Sequence, residues 1–328
     1  MGNRVSGDSP LLFPLISDLE QSLQQMPALA GSGLLQPPVI ESLSFPLFAA
    51  QTVQVDVLRL DRLHPVISGN KWFKLKYDLV QALRAGQHTL LSFGGAWSNH
   101  LRALAFAAQL TGLQSRGSVR GDELDADANP MLQDAQRWGM QLEFVSRSRY
   151  REMTRTAFDA NDAGVRVIPE GGDNECGVLG CVSLLPPDTH DRYDQVWLPV
   201  GTGCTFAGVR LALPARVNVQ GVSALAGDWP RQQMQQRLLQ WLPQTASHWN
   251  ILTEYHEGGY GRVSPRLLSF IAEFGDNTGL PLDPVYTGKA MFALCDQLRH
   301  DRIPAGSRVL FLHTGGLQGA RGFQNVAG

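Results

Sequence analysis

The chain is predicted to be an α/β protein, with open parallel sheets covered by helices on both faces and divided between two interleaved domains. Three observations predict it. Runs with strand character are separated, almost one for one, by stretches with helical spacing. Four of the strand runs lead into glycine pairs or near-pairs, at Gly94-Gly95, Gly171-Gly172, Gly201-Thr202-Gly203 and Gly315-Gly316, as sharp strand-to-helix turns require. The length of 328 residues provides one large or two medium cores.

Taken in order, Ser17-Asp18-Leu19-Glu20 is a capping-box pattern that predicts a helix opening at Ser17, with Leu19 and Leu23 on one face. Val53–Val57 alternates with period two and predicts a half-buried strand. The pattern then predicts a helix over 74–85, a strand over 89–92, a helix over 99–110 and a strand at 118–119. Asn129-Pro130 reads as an N-cap followed by proline at the first helical position. Strands over 142–145, 166–168, 195–199, 219–224 and 308–313 follow, most of them separated by helices over 150–161, 231–242, 266–274 and 289–298. There is no repeat of fixed period and no low-complexity linker.

Composition narrows the function classes. With 43% apolar and 18% charged residues and a net charge of −2, the chain lacks the basic footprint of a nucleic-acid binder. Cys176, Cys181, Cys204 and Cys295 form no CxxC pair and match no zinc spacing. They read as reduced thiols, so no metal site and a cytoplasmic location are expected. The apolar run Leu11–Ile16 is broken by Pro14 and is too short for a secretory signal or a membrane span.

Chemistry concentrates at Ser68-Gly69-Asn70-Lys71, followed by Trp72 and Phe73. A lysine becomes nucleophilic only where desolvation or nearby charge lowers its pKa. Two bulky aromatics after a Gly-Asn turn suggest such a setting, suited to a Schiff base with a carbonyl compound. Most lysines are solvated surface charges, so the other loops must support the reading. Gly201-Thr202-Gly203-Cys204-Thr205 does so: glycines free to turn amides inward, hydroxyl donors and a helix start together suit a phosphate. A Walker A loop would need Gly-Lys-Ser/Thr, and a dinucleotide fingerprint a third Gly or Ala where Phe206 stands. Ser98-Asn99-His100 opens a helix whose amides suit a carboxylate, although Ser98 or Asn99 also serves as an ordinary N-cap. His100 reads as a packing or supporting residue, and Trp97 as a pocket or core residue. Tyr286 and Thr287 precede a helix after Asp283-Pro284, and Tyr260 stands in Gly258-Gly259-Tyr260-Gly261. Both tyrosines are candidate ring-stacking or proton-relay groups.

Together, Gly69-Asn70-Lys71-x-x-Lys74-Leu75, Ser92-x-Gly94-Gly95-x-x-Ser98-Asn99, Ile168-Pro169-x-Gly171-Gly172, Asp283-Pro284-Val285-Tyr286 and His313-x-Gly315-Gly316 resemble the 1-aminocyclopropane-1-carboxylate deaminase and D-cysteine desulfhydrase family. These are pyridoxal-phosphate enzymes of the tryptophan-synthase-β-like group, fold type II. The resemblance runs from about Val53 to Phe323 and implies pyridoxal 5'-phosphate as cofactor and a small amino acid as substrate. It implies that Lys71 bears the cofactor, Asn99 binds its ring oxygen and Gly201, Thr202, Gly203, Cys204 and Thr205 hold its phosphate. Thr287 and Thr314 are assigned to the ring nitrogen's surroundings. Ser98 would face the substrate opposite Tyr260 and Tyr286. Residues 1–73 plus 173–328 would form the large cofactor domain, 74–172 a small mobile domain, and the assembly a homodimer without membrane or nucleic-acid partners.

Ring-opening deaminases of the family usually carry Glu after the Asp-Pro-Val-Tyr tyrosine and Leu in the His-x-Gly-Gly segment. Thr287 and Thr314 here resemble the desulfhydrase side. Cys204 stands where a hydroxyl residue is common, and residues 1–40 and 61–68 are typical of neither subgroup. The expected activity is therefore α,β-elimination, D-cysteine giving pyruvate, sulfide and ammonia. Cyclopropane-ring deamination, a catalytically silent amino-acid-binding protein and a nucleotide-binding α/β protein are the alternatives.

Overall fold

The computed structural model describes residues 12–158, 162–241 and 248–323. Its strands are β1 (Ile40–Leu43), β2 (Gln54–Arg59), β3 (Thr89–Gly95), β4 (Gln114–Arg120), β5 (Met140–Val145), β6 (Val165–Val167), β7 (Gln195–Val200), β8 (Asn218–Ser223), β9 (Trp249–Leu252) and β10 (Arg308–His313). The helices are α1 (Leu12–Gln24), α2 (Pro46–Ala50), α3 (Lys71–Arg84), α4 (Asn99–Thr111), α5 (Pro130–Arg137), α6 (Arg147–Thr156), α7 (Glu175–Val182), α8 (Thr189–Arg192), α9 (Cys204–Ala212), α10 (Trp229–Trp241), α11 (Pro265–Thr278) and α12 (Thr287–Arg299). No described helix is long and apolar enough to cross a membrane.

Two sheets form, a six-stranded one in the order β1-β2-β10-β7-β8-β9 and a four-stranded one in the order β5-β4-β3-β6. Every pairing is parallel except that of β1 with β2. Central strands such as β10 are apolar almost throughout and buried from Val309 to His313, as expected where helices cover both faces. The antiparallel edge is a departure from the all-parallel expectation. Hydrogen bonds from β1 continue the sheet past β2, and Arg59 on β2 pairs with both Glu41 on β1 and Asp61 beyond β2.

Local patterns were overridden in a few places. Helix α1 already runs from Leu12, so Ser17 lies inside it and caps nothing. Its face of Ile16, Leu19 and Leu23 is buried against the core, and Glu20 accepts instead from Lys76 Nζ and, at 2.6 Å, from Tyr77 Oη. The helix expected from 150 begins at Arg147, where Ser146 Oγ accepts from the Arg149 amide; residues 159–161 lie outside the described residues. Helix α7 gave no periodic signal because it is buried on several sides. A Cβ on Gly180 would lie 1.9 Å from the Phe73 carbonyl oxygen of α3, and one on Gly208 of α9 would lie 2.4 Å from Cys181 Cβ. Small residues there let three helices approach closely.

Candidate active site

The carboxyl ends of β3, β4, β6, β7 and β10 converge on one cavity of about 590 Å³, within the range usual for small-molecule sites. The four glycine-bearing loops singled out in the sequence all reach its wall, through Gly95, Gly171, Gly201 with Gly203, and Gly315 with Gly316. In parallel sheets this is the face where ligands bind.

Lys71 is placed by the turn before it. Gly69 has φ +77°, and a Cβ there would lie 2.0 Å from the Thr314 carbonyl oxygen, so only glycine fits. Gly69 N donates to Leu60 O at 2.7 Å and Asn70 N to Thr314 O at 3.1 Å. The turn is thereby fixed to the end of β10, and α3 starts at Lys71. Lys71 Nζ donates to Asn70 Oδ1 at 2.8 Å, while Asn70 Nδ2 donates to Thr205 Oγ1 at 2.8 Å. Burial, followed by the neighbouring Lys74 ammonium, brings the Lys71 amine down from its usual range to about 7. A substantial neutral, nucleophilic fraction therefore exists near neutrality. Trp72 and Phe73 are buried but do not line the cavity; they anchor α3 while the cavity wall supplies the desolvation.

The loop after β7 has the form of an anion cradle. Gly203 adopts φ +88° as the residue before α9, whose first-turn amides have no partner within the helix. A Cβ on Gly201 would press to 3.2 Å from Tyr286 Cε1, and one on Gly203 to 2.2 Å from Met234 Cε. Lys74 Nζ donates to Thr202 Oγ1 at 3.2 Å and to Gly171 O at 2.9 Å. This buried cation was not assigned a role from sequence, though its place three residues after Lys71 on one helix was a usable signal.

Ser98 caps α4, its Oγ accepting from Leu101 N at 3.2 Å, and it shares the wall with Asn99 and His100. Ser92 Oγ donates to Ile168 O at 2.8 Å, so its 2.8 Å contact with His100 Nε2 has the ring donating. Burial and then Lys71 and Lys74 hold the imidazole well below its ordinary pKa, making His100 a neutral support. Tyr260 and Tyr286 line the cavity together, their rings edge to face with centroids 6.1 Å apart. Burial raises the Tyr286 hydroxyl well above its ordinary range, so it keeps its proton.

Gly201, Thr202, Gly203, Thr205, Asn99, Ser98, Lys71, Tyr260, Tyr286 and Thr314 thus surround one space. Thr287 and Cys204 differ, for neither is part of the cavity wall. Thr287 Oγ1 donates to Asp283 Oδ2 at 2.7 Å and accepts from Asp283 N at 2.9 Å, closing the turn ahead of α12. Cys204 Sγ donates to Gly172 O at 3.3 Å. Thr314 is the wall hydroxyl of the two threonines. Sequence reading also missed Arg120, which is on the wall with Glu170 of the loop Glu170-Gly171-Gly172.

A lysine at the floor, an amide cradle at a helix N-terminus and aromatic rings opposite define a site for an aldehyde-bearing, phosphorylated ring cofactor. The glycine-lined loop, the lowered lysine and the cavity size fit that group. Residues 43–315 match the family model described as pyridoxal-phosphate dependent enzyme. The chain belongs to that family, and pyridoxal phosphate is its cofactor. It is 29% identical over 285 residues to the mitochondrial bifunctional D-cysteine desulfhydrase/1-aminocyclopropane-1-carboxylate deaminase of Arabidopsis thaliana, covering 77% of this chain and 70% of that one. It is 28% identical over 286 residues to the D-cysteine desulfhydrase of Klebsiella pneumoniae, covering 80% and 87%. A crystal structure described as an ACC deaminase homologue superposes with a TM-score of 0.76 at 23% identity, over 97% of this chain and 99% of the other. That likeness establishes the shared fold, type II among pyridoxal-phosphate enzymes.

Proposed function

We propose that the protein is a lyase that carries out α,β-elimination on a small amino acid, with D-cysteine the leading substrate. The observation that carries the reading is Lys71, held by Asn70 and lowered to about 7, in a cavity that contains Ser98 and the β7–α9 loop. When bound through Lys71, the cofactor supplies a sink for the electron pair left as the Cα–H bond breaks. Gly201, Thr202, Gly203 and Thr205 hold its phosphate, Lys74 reinforces Thr202, and Asn99 binds its ring oxygen. Thr314 provides a neutral hydroxyl for the ring nitrogen. The amides opening α4 hold the substrate carboxylate. Lys71 Nζ, released on substrate binding, takes the α-proton, with Ser98 Oγ beside it. Tyr260 and Tyr286 close the far wall, and Tyr286, still protonated, donates toward the departing group. The β-substituent leaves with its bonding electrons, and one water completes the conversion of D-cysteine to pyruvate, hydrogen sulfide and ammonia.

A neutral ring-nitrogen partner makes a weaker electron sink than a carboxylate would. That favours a substrate with a good leaving group, such as thiolate, over opening of a cyclopropane ring; the Arabidopsis relative is named for both activities. The four-stranded sheet lies wholly within residues 74–172, which supports those residues as a small domain closing over the site. The remainder, 1–73 and 173–328, is the cofactor domain. A cytoplasmic location is part of the same proposal, supported by four unpaired cysteines; the homodimer rests on the family resemblance alone. Steady-state assays of D-cysteine, L-cysteine, β-chloro-D-alanine and 1-aminocyclopropane-1-carboxylate test the reading. Sulfide and pyruvate from D-cysteine are expected, and borohydride should fix the cofactor to the peptide containing Lys71. Turnover of the cyclopropane amino acid alone would overturn it.

A further inference from the structure

A second hollow, open and of about 560 Å³, adjoins the first and shares Arg120 and Glu170 with it. Its other walls are Arg147, Tyr150, Arg151 and Thr154, spaced one, four, five and eight along α6 so that they form one stripe. Arg120 ends β4, and its register partner on β3 is Gly95. A Cβ on Gly95 would lie 3.4 Å from an Arg120 guanidinium nitrogen, which places that group beside the loop leading to Ser98. The Arg120 guanidinium carbon stands 5.3 Å from the Tyr150 ring centroid, joining the main cavity to the α6 stripe.

The charges here are unbalanced. Among the described residues none of Arg120, Arg147 and Arg151 forms an ion pair, whereas Arg149, on the same helix, pairs with Glu152 at 2.9 Å. Arg151 Nε donates to the Arg147 carbonyl at 3.2 Å, leaving its terminal amines free. Glu170 is the one acid on these walls. The buried Tyr150 hydroxyl faces Glu170, and burial followed by that carboxylate raises its pKa, so it keeps its proton and remains a donor on this wall. Unpaired guanidiniums beside a buried donor suit a carboxylate or sulfonate, which they can grip through two parallel hydrogen bonds.

We propose that Arg120, backed by Arg147, Arg151 and Tyr150, forms a subsite for a second negative charge carried on the substrate's β-substituent. The inference rests on the lyase reading and deepens it: with the amine at Lys71 and the α-carboxylate at α4, an extended β-substituent reaches the guanidinium of Arg120. Substrates ending in an anion are then preferred to D-cysteine itself, and the guanidiniums disfavour β-substituents ending in a cation.

The test compares kcat/KM for S-carboxymethyl-D-cysteine and D-cysteine in the holoenzyme. It adds a binding arm, the dissociation constants of D-aspartate and D-alanine measured calorimetrically. The anionic member of each pair is expected to be favoured at least tenfold. Arg120→Gln should abolish that ratio and Arg120→Lys restore part of it. The Arg147→Gln/Arg151→Gln double variant should lower it severalfold. Raising the salt concentration should shrink the ratio in the unaltered enzyme. A ratio near one in the unaltered enzyme overturns the subsite. So does an equal loss for both members in Arg120→Gln, which would assign Arg120 to the common α-carboxylate. If neither sulfur compound turns over but D-aspartate still binds at least tenfold more tightly than D-alanine through Arg120, the subsite stands and the lyase reading falls.

Discussion

At Lys71 the environment changes what an amine can do. Lowered to about 7 mainly by burial, it should react with trinitrobenzenesulfonate in cofactor-free protein at a rate that climbs through about pH 7 and then levels. A solvated lysine would keep gaining until about pH 10; a midpoint there, followed at the Lys71 peptide, contradicts the assignment. The same lowering acts on stability. Between about 7 and the unfolded lysine value near 10.5, the unfolded chain binds more protons than the folded one, so this group's contribution to stability grows as pH rises through that window. Lys71 was legible because Gly-Asn-Lys and the helix after it are contiguous. The side chains of Thr287 and Cys204 turn away from the cavity because side-chain direction within a first helical turn depends on local partners, here Asp283 and the Gly172 carbonyl. Arg120 was invisible, since it ends β4 and meets the loop Glu170-Gly171-Gly172 only when the sheet forms.

The turn that launches α3 shows how one element depends on another. Gly69→Ala combines a left-handed backbone with a Cβ 2.0 Å from the Thr314 carbonyl oxygen. Gly279→Ala, at φ +68° with nothing within 4 Å, meets the backbone penalty alone, about 1–2 kcal/mol. Denaturation should therefore show a distinctly larger loss for Gly69→Ala, along with at least tenfold weaker cofactor binding. Equal losses would mean that the Thr314 segment moves aside freely. Element types were readable where burial follows a simple period: β10 occupies the predicted residues, and Asn129 caps α5 through the Met131 and Leu132 amides as expected. Helix α7 and the edge strands β1 and β9 were not. The first is apolar on several faces, and the strands are four residues each, too short for a period to emerge.

Across the whole molecule, polar bonds tie the smaller sheet to the helices beside it. Asp78 on α3 is fully buried, accepting from Arg166 of β6 at 2.7 Å and from Asn174, which caps α7, at 2.9 Å. Asp78→Ala leaves a guanidinium without its partner. The cost should be about 2–3 kcal/mol, below the range for a fully enclosed pair, because Arg166 retains 28% side-chain exposure. Asp78→Asn, which keeps an acceptor, should lose less in urea denaturation. Matching losses would assign the effect to packing. The alternation of strands and helices announced an α/β protein, but not that β10 inserts between β2 and β7, since strand order is a matter of long-range contacts. That insertion has a consequence for birth on the ribosome. The strands of the smaller sheet are all translated by residue 167, whereas the larger sheet lacks its inner slat until residue 313 has left the exit tunnel. At about 5–20 residues per second the interval is on the order of ten seconds. Throughout it β2, and from residue 200 onward β7 as well, has a sticky, unzipped flank, and a nascent chain in that condition is one that chaperones would have to shelter.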